Sequence, residues 1–203
     1  SRGILQNSIP KRTNIPIVLR VSSGNSILNE DLSNEKLCVS IEDAIRLNAS
    51  AVAFSIYIGG AYEHQTIVEF SKLVNDAHRY GIPVLAVTAV GKDMNRDLRY
   101  LSLASRIAVE LGADIVKTYY CDGFSELIAA CPVPVVIAGG KKVPELDALE
   151  FAHKAISDGA AGVDMGRNIF QSESPENMIQ AVRSVVVNSV GPKDAFEQYK
   201  NSL

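Results

Sequence analysis

Short apolar runs rich in β-branched residues recur along the chain, and segments with helical periodicity separate them. The starts of these runs are roughly 20 to 34 residues apart, which leaves room for one helix between consecutive strands. Such alternation is typical of a β/α repeat with parallel strands and not of a sandwich of hairpins. We therefore predict strands over residues 17–21, 51–58, 83–88, 113–119, 134–138 and 161–165.

Three of the intervening segments have strong helix signals. In the first, Phe70, Val74 and Ala77 follow the spacing that places apolar side chains on one face of a helix. All three segments stop directly before a glycine, and one of them starts directly after Pro144, which is the usual punctuation of a helix. These signals predict helices over residues 63–80, 99–111 and 145–158.

The fold class that follows is α/β, but spacing alone leaves two architectures open. A (β/α)8 TIM barrel typically needs about 250 residues and eight units, whereas this chain has 203 residues and six predicted strands. The chain opens at Ser1 with no initiator methionine, as though it began just after a strand. Either the first two β/α units belong to a longer natural chain, or the six strands form an open, doubly wound sheet. In both cases we expect residues 1–203 to form a single domain.

Composition narrows the class of protein. With 47% hydrophobic residues and a formal net charge of -3, the chain has the balance of an ordinary globular protein with one sizeable core. No run approaches the roughly 18 apolar residues of a membrane span, and no apolar signal stretch follows the N-terminus. We therefore expect a cytoplasmic protein that does not bind membranes.

Metal and nucleic-acid binding are also disfavoured. Cys38, Cys121 and Cys131 lack the paired spacing of a zinc or redox site, and the three histidines lie far apart in the sequence. Lysine and arginine are scattered through an acidic chain, so no basic stripe is available for nucleic acid. Cys121 has no evident histidine partner and is interpreted as a small packing residue. The expected partner is a small molecule, with no metal and no bound cofactor.

Lys117 is the most unusual residue in the pattern. It lies within the stretch ADIVKTYY, residues 113–120, which has the hydrophobicity and length of a buried strand. Alternation places Ile115, Lys117 and Tyr119 on one face of that strand. A lysine beneath the helix layer would be buried among apolar groups, whereas on the interior face of a barrel it reaches the mouth, where active sites lie. We therefore predict that Lys117 points inward.

Two roles stay open for an inward lysine. Desolvation favours the neutral amine, which can attack a carbonyl carbon and form a Schiff base. Alternatively, the side chain extends to solvent or pairs with a carboxylate, which is the more common arrangement for a lysine at a strand end. Lys117 is thus a candidate catalytic residue whose role depends on its neighbours.

Glycines follow each of the next two strands. In VPVVIAGGKK, residues 133–142, they are Gly139 and Gly140, and in AGVDMGRNIF, residues 161–170, Gly166 is followed by Arg167. Loops after the last two strands of such barrels often bind phosphate, because glycine lets backbone N–H groups approach an anion and arginine adds positive charge. Either motif alone also fits a simple turn. Together they predict a phosphate-binding site formed by these four residues.

Two further polar loops are weaker candidates. In VSSGNS, residues 21–26, the polar and glycine positions Ser23, Gly24 and Asn25 are candidate substrate contacts, although a simple turn is the more common use of such residues. The GKD stretch, residues 91–93, lacks the rest of a Walker sequence and is interpreted as a loop.

Long contiguous motifs point to a known family. They include RVSSGNSIL, YIGGAYEHQ, VTAVGKDMNRD, IVKTYY, CPVPVVIAGGKK and GVDMGRNIFQS. Together these stretches resemble the class I, lysine-dependent aldolase family built on (β/α)8 barrels, and in particular its members with thiolase activity. The resemblance runs nearly from end to end of the chain.

This resemblance implies an activity and the residues that perform it. Lys117 matches the Schiff-base lysine of the family, and the four residues of the predicted phosphate site match its phosphate-binding positions. The implied reaction transfers the acetyl group of 3-hydroxy-5-phosphooxypentane-2,4-dione to coenzyme A as co-substrate, in degradation of the autoinducer-2 signal. Acetyl-CoA and dihydroxyacetone phosphate are the implied products. The resemblance also implies a homo-oligomer, with a decamer expected by analogy.

The resemblance leaves two competing hypotheses. Family members have roughly two further β/α units before the point where this chain starts. Related fructose-bisphosphate aldolases place a catalytic tyrosine at the end of the fifth strand, where this chain has Ala89 at or near the corresponding place. This departure argues against a class I aldolase acting on a phosphorylated sugar, the first competing hypothesis. The second is a non-catalytic phosphosugar-binding or assembly protein.

Overall fold

The computed structural model describes residues 1–7, 14–26, 28, 31–90 and 94–202. The strands in these ranges form a six-stranded parallel sheet and a two-stranded antiparallel hairpin. They are β1 Val18–Arg20, β2 Ser22–Ser23, β3 Lys36–Leu37, β4 Ala51–Ile58, β5 Val84–Val90, β6 Ile115–Thr118, β7 Val135–Ala138 and β8 Gly162–Asp164.

Helices lie between the strands and follow the last strand. The helices in the described ranges are α1 Arg2–Asn7, α2 Ile41–Arg46, α3 Glu63–Arg79, α4 Leu98–Glu110, α5 Phe124–Ala130, α6 Glu145–Ser157, α7 Gly166–Phe170, α8 Pro175–Asn188 and α9 Pro192–Asn201. The three predicted helices are confirmed as α3, α4 and α6, with ends that differ by one residue.

Glycine is required at the end of α4 for two reasons. Gly112 has φ +96°, a conformation that L side chains rarely adopt. A Cβ atom added at Gly112 would also lie 2.8 Å from Val74 Cγ1 of α3. The glycine that ended the predicted helix therefore also lets the turn into β6 pass close to the neighbouring helix.

The six predicted strands are confirmed, and their order decides between the two architectures. The large sheet runs β1-β4-β5-β6-β7-β8, with parallel pairing throughout. A doubly wound sheet reverses its strand order at a switch point, whereas this order follows the chain without reversal. Crossovers of one hand then place their helices on a single face of the sheet. The sheet is therefore a curled part of a (β/α)8 barrel and not an open doubly wound sheet.

Burial alternates along the strands as a barrel requires. The outward side chains of Leu19, Phe54 and Val116 are almost completely buried beneath the helices, where Phe70 of α3 and Leu101 of α4 meet them. Each such large apolar side chain stabilises the fold by about 1.5–3 kcal/mol. The inward positions of the same strands face a cavity instead. This division leaves the inner face available for polar residues.

Several elements were not among the predictions. The hairpin of β2 and β3 follows β1 directly, and α8 and α9 follow the last strand and α7. These two helices form a second apolar cluster with α6, in which Leu149, Met178 and Tyr199 are buried. No helix in the described part of the chain is long and apolar enough to cross a membrane. The GKD stretch, residues 91–93, lies outside the described residues.

Candidate active site

A cavity of about 850 Å³ lies on the inner face of the sheet, at the carboxyl ends of its strands. The register of the parallel pairs explains which side chains share it. Ser55 of β4 pairs with Val87 of β5, Val87 pairs with Lys117 of β6, and Lys117 pairs with Val136 of β7. Because paired residues of parallel strands point to the same face, this row faces inward, and Ser55, Val87 and Lys117 of it line the cavity.

Lys117 points into this cavity, as its position in the strand predicts. Its side chain is 21% exposed, and its Nζ atom donates a hydrogen bond to Asp164 Oδ2 at 2.6 Å. Its backbone oxygen accepts a hydrogen bond from Thr88 Oγ1 at 3.2 Å. The inward orientation is confirmed, and of the arrangements left open by the sequence the structure shows pairing with a carboxylate.

Asp164 is the charged neighbour of Lys117, and the sequence did not predict it. It ends β8, where it pairs with Ala138 of β7. Its backbone oxygen accepts a hydrogen bond from the N–H of Gly139 at 3.0 Å, which fixes the end of the strand. Alternation within β8 was the available signal, because it places Asp164 two residues from Gly162 on the same inward face.

The four predicted phosphate-site residues line the same cavity as Lys117. Gly139 allows the two loops to approach, because a Cβ atom there would lie 2.7 Å from the Cα atom of Met165. Its N–H already bonds to β8, so its contribution to an anion site is space and not a donor. Gly140 has φ +68° and open surroundings, while Gly166 and Arg167 are exposed at the start of α7.

Asn168 holds the loop after β7 against α7. Its side chain is buried in α7, where Oδ1 accepts from the N–H of Val143 at 3.0 Å. Its Nδ2 atom donates to the backbone oxygens of Gly139 at 2.8 Å and Lys141 at 3.2 Å. One side chain thereby satisfies three backbone groups of the loop after β7. This loop is held in place by buried hydrogen bonds and not only by the turn itself.

A second polar cluster lies at the opposite end of the cavity wall, on β1 and β4. Arg20 Nη2 donates to Glu35 Oε1 at 2.5 Å and to Ser55 Oγ at 2.7 Å. The buried Glu35 carboxylate also accepts from Ser22 Oγ at 2.6 Å and from Tyr57 OH at 3.3 Å. Arg20, Ser55 and Tyr57 line the cavity. The cluster therefore presents a fixed guanidinium to the ligand space.

Electrostatics keep this cluster in one charge state. Burial opposes the charged form of Arg20, but the hydrogen bond and the charge of Glu35 outweigh it and raise the pKa of the guanidinium. Burial, followed by the negative charge of Glu35, raises the pKa of the Tyr57 phenol. Tyr57 is therefore a neutral hydrogen-bond donor at neutral pH, and Arg20 is a permanent cation.

The loop candidates Ser23, Gly24 and Asn25 have structural contacts. Ser23 belongs to the hairpin, where it pairs with Lys36. Gly24 passes so close to Asn34 that a Cβ atom would lie 2.6 Å from the Asn34 backbone oxygen. Asn25 Nδ2 donates to that oxygen at 2.8 Å. None of the three is among the described residues that line the cavity, to which this region contributes residues 31–33 instead.

The remaining candidates do not add a nucleophile or a metal. Cys121 is buried in the core, and burial raises the pKa of its thiol, which fits a packing residue. Among the residues that the structure describes, no group of three or more His, Cys, Asp or Glu side chains is placed to hold a metal ion. At the rim, the Arg96 guanidinium lies 3.9 Å from the centre of the Tyr119 ring and adds positive charge to the mouth.

A lysine on an inner strand of a (β/α) barrel, with glycine loops and an arginine beside it, defines the class of lysine-dependent aldolase barrels. Comparison with known proteins agrees with this class. The model of the DeoC/LacD family of aldolases matches residues 3–172. The chain belongs to the DeoC/LacD aldolase family.

Relatives within this family are similar over nearly the whole chain. The 3-hydroxy-5-phosphonooxypentane-2,4-dione thiolase of Photorhabdus laumondii is 58% identical over 200 residues, which cover 98% of this chain and 68% of that protein. An uncharacterized aldolase of Pasteurella multocida is 57% identical, over 98% of this chain and 69% of its own length. The chain thus spans about two thirds of the length of these relatives.

Solved structures agree with the fold. An archaeal fructose-1,6-bisphosphate aldolase, with its catalytic lysine bound covalently to the carbinolamine intermediate, has a TM-score of 0.83 and 29% identity. The match covers 91% of this chain and 76% of that one. A fructose-bisphosphate aldolase from Slackia heliotrinireducens has a TM-score of 0.82 at 21% identity, over 94% of this chain and 67% of its own. The second likeness shows the fold alone.

Proposed function

We propose that this chain is a thiolase that transfers the acetyl group of 3-hydroxy-5-phosphonooxypentane-2,4-dione to coenzyme A, in processing of the autoinducer-2 signal. The observation that supports this most directly is Lys117 in the inner cavity, beside two glycine loops and Arg167. The 58% identity to relatives named for this activity selects the reaction among those of lysine-dependent barrels.

Lys117 is the residue proposed to form the electrophile, which is an iminium made from its amine and the substrate ketone. Its amine condenses with the ketone nearer the phosphate, and a molecule of water leaves as the iminium forms. The positively charged iminium carbon then lies next to the carbon–carbon bond that must break. It can accept the electron pair of that bond, which a ketone does much less readily.

Acetyl transfer follows from attack by the thiolate of coenzyme A. The sulfur adds to the acetyl carbonyl, and the bond between the acetyl group and the hydroxyl-bearing carbon breaks. Its electron pair moves into the iminium and leaves an enamine of dihydroxyacetone phosphate on Lys117. Protonation of the enamine carbon and hydrolysis of the iminium release dihydroxyacetone phosphate. Arg96 at the rim is a cation suited to the phosphates of coenzyme A.

The phosphate of the substrate is proposed to lie between the loop after β7 and the start of α7. Gly140, Gly166 and Arg167 border the cavity there and are exposed. Arginine binds phosphate oxygens through two parallel N–H bonds, and glycine lets the backbone come close. Binding energy at this non-reacting end fixes the ketone carbon against Lys117 and lowers the entropic cost of the condensation.

A class I aldolase acting on a phosphorylated sugar is the second candidate. The likeness to the archaeal fructose-1,6-bisphosphate aldolase favours it. Against it, Ala89 lines the cavity and supplies no proton-transfer group. Turnover that requires a thiol acceptor distinguishes the thiolase from the aldolase. A non-catalytic phosphosugar-binding protein, possible on sequence grounds, would form no covalent adduct at Lys117.

Borohydride trapping tests the proposal. Dihydroxyacetone phosphate and sodium borohydride should add one reduced adduct to the protein, and peptide mapping should locate it at Lys117. Lys117→Ala should abolish this adduct, whereas Lys72→Ala, which removes an exposed lysine of α3, should leave it unchanged. A Lys117→Ala variant that forms the adduct in full would show that another amine reacts.

A further inference from the structure

The proposed reaction leaves the proton transfers at Lys117 without an assigned group. The amine must lose a proton before it attacks the ketone, and the hydroxyl of the resulting carbinolamine must gain one before it leaves as water. The group that moves these protons must lie within hydrogen-bond reach of Nζ. In the structure Lys117 Nζ meets Asp164 Oδ2 at 2.6 Å.

The other carboxyl and phenol groups at the cavity have contacts away from Lys117, and among them Asp31 accepts hydrogen bonds from the backbone N–H and the Oγ of Ser33. Tyr57 donates its phenolic hydrogen to Glu35, and Glu35 accepts from Arg20 and Ser22. The ring of Tyr119 lies beneath the Arg96 guanidinium. In the described part of the cavity wall, Asp164 is the group that is bonded to the lysine.

We propose that Asp164 is the proton carrier for Schiff-base formation at Lys117, an inference that rests on the proposed function. In the resting site, Lys117 is an ammonium group paired with the Asp164 carboxylate. The ketone approaches, and the ammonium gives one proton to Asp164. The neutral amine then adds to the carbonyl carbon, while protonated Asp164 returns its proton to the carbonyl oxygen.

Dehydration uses the same carboxyl group a second time. The nitrogen of the carbinolamine, which now has two hydrogens and a positive charge, gives one proton to Asp164. Asp164 then protonates the carbinolamine hydroxyl, which leaves as water. The sum of these steps converts an ammonium and a ketone into a protonated iminium and water, and Asp164 ends as a carboxylate, so atoms and charge balance.

The position of Asp164 allows its carboxyl group to move protons between Lys117 Nζ and the oxygen on the bound carbon. Its backbone is fixed by the sheet register and by the Gly139 N–H, whereas its side chain lines the cavity and is 53% exposed. It therefore has room to turn from Nζ toward an oxygen on the bound carbon. Asp164 also lies directly before Met165, which leads into Gly166 and Arg167 at the start of α7. A phosphate anchored at these two residues is thus held close to the proton carrier.

The test compares the rates at which the adduct forms and not only whether the adduct is present. Intact-mass spectrometry follows the adduct formed with dihydroxyacetone phosphate and borohydride in wild type, Asp164→Asn and Asp164→Ala. Loss of a general acid–base group costs about 10²–10⁴-fold in rate, so we expect both variants to trap at least about 10²-fold more slowly. Asp76→Asn, which removes an exposed acid of α3, is the matched control and should keep the wild-type rate.

Rescue by added carboxylates separates proton transfer from a merely structural role. In Asp164→Ala, formate and acetate should restore part of the rate, and the more basic acetate should be the more effective at equal occupancy. In Asp164→Asn the amide fills the space, and rescue should be absent. Circular dichroism spectra that match wild type establish that both variants are folded.

Three outcomes would overturn the inference. If the wild-type adduct is at Lys117 and both variants trap at the wild-type rate, Asp164 is not the carrier, while the proposed function stands. If folded Asp164→Ala is slow but no carboxylate of any basicity rescues it, Asp164 only positions the lysine. If wild type itself forms no adduct at Lys117, the proposed function fails and this inference fails with it.

Discussion

At the scale of single residues, the partly buried charges at the cavity are paired with charges from a distant part of the chain. Lys117 meets Asp164, 47 positions away in sequence, and Arg20 meets Glu35, 15 positions away. Of the four side chains, Glu35 is the most deeply buried, with 10% of it exposed, so an unpaired charge would be most costly there. The sequence predicted that Lys117 faces inward but not what it meets, because alternation is local and the partner is not.

The Glu35 carboxylate is predicted to stabilise the fold because it accepts hydrogen bonds from three side chains, those of Arg20, Ser22 and Tyr57. Glu35→Gln keeps the volume but removes the charge and replaces one acceptor with a donor that faces Ser22 or Arg20. Because Arg20 is partly exposed, the cost is less than for a fully buried pair. We expect the free energy of unfolding, measured by urea denaturation, to fall by about 1–3 kcal/mol.

Glu42→Gln provides the control for this prediction. Glu42 is exposed and accepts a hydrogen bond from Tyr80 OH at 3.1 Å. Surface substitutions of this kind usually change stability by less than about 0.5 kcal/mol. Equal losses in the two variants would contradict a special role for Glu35.

At the scale of elements, strands and long helices were predictable, while short connecting elements were not. Helices such as α3 repeat an apolar spacing over several turns, so a single irregular residue does not hide the pattern. The hairpin of β2 and β3 has two residues in each strand, and α7 has five residues. Such elements are too short for periodicity and depend on the contacts of the finished fold. Asn168 belongs to one of them.

Asn168 is predicted to position the phosphate loop, which is the loop after β7 at residues 139–143 that borders the proposed phosphate site. Asn168→Ala removes three hydrogen bonds and leaves backbone groups of residues 139–143 unsatisfied. We expect the free energy of unfolding to fall by about 2–4 kcal/mol, because each orphaned buried group costs about 1–3 kcal/mol before water compensates. The half-saturating concentration of dihydroxyacetone phosphate in borohydride trapping should rise, while that of dihydroxyacetone should change little.

The comparison with dihydroxyacetone, a ketone without a phosphate group, makes this test specific for the phosphate loop. If both ketones lose affinity equally, Asn168 supports the cavity in general and not the phosphate loop. Asn177→Ala is the matched control, because Asn177 makes an exposed hydrogen bond to the backbone oxygen of Ser202 at 2.8 Å. It should leave both half-saturating concentrations unchanged.

At the scale of the whole molecule, sheet order and packing decide the architecture. The strands follow chain order around the sheet, which places the helices outside and the chemistry inside. Motif resemblance had implied the barrel, and the family match agrees with it. Spacing alone had left a doubly wound sheet open, because both folds repeat the same strand and helix periods.

Global stability should decrease at alkaline pH, and Tyr120 is one cause. Burial, together with the hydrogen bond to Asp158 and its charge, raises the pKa of Tyr120 from 10.0 to about 12. Between these values the folded protein keeps a proton that the unfolded chain releases, so unfolding becomes easier as pH rises. The stabilisation is complete below pH 10 and is lost as pH rises toward about 12.

Urea denaturation between about pH 9 and 11 tests this linkage. Tyr120→Phe should make the free energy of unfolding decline less steeply with pH than in wild type. Asp158→Asn should act in the same direction, because it removes the negative charge of the group that accepts the Tyr120 hydrogen bond at 2.5 Å, while the phenol remains. A wild-type slope in both variants would exclude Tyr120 as a source of the alkaline instability.

The sequence by itself determined the periods of the strands and helices, the β/α repeat and the inward face of Lys117. These features depend on neighbours within a few residues, which the printed order of side chains contains directly. Only the tertiary structure decided that Asp164 meets Lys117, that Asn168 holds the glycine loop and that Glu35 lies beneath Arg20. Those contacts join residues 15 to 47 positions apart, and closing such distances depends on the winding of the whole sheet.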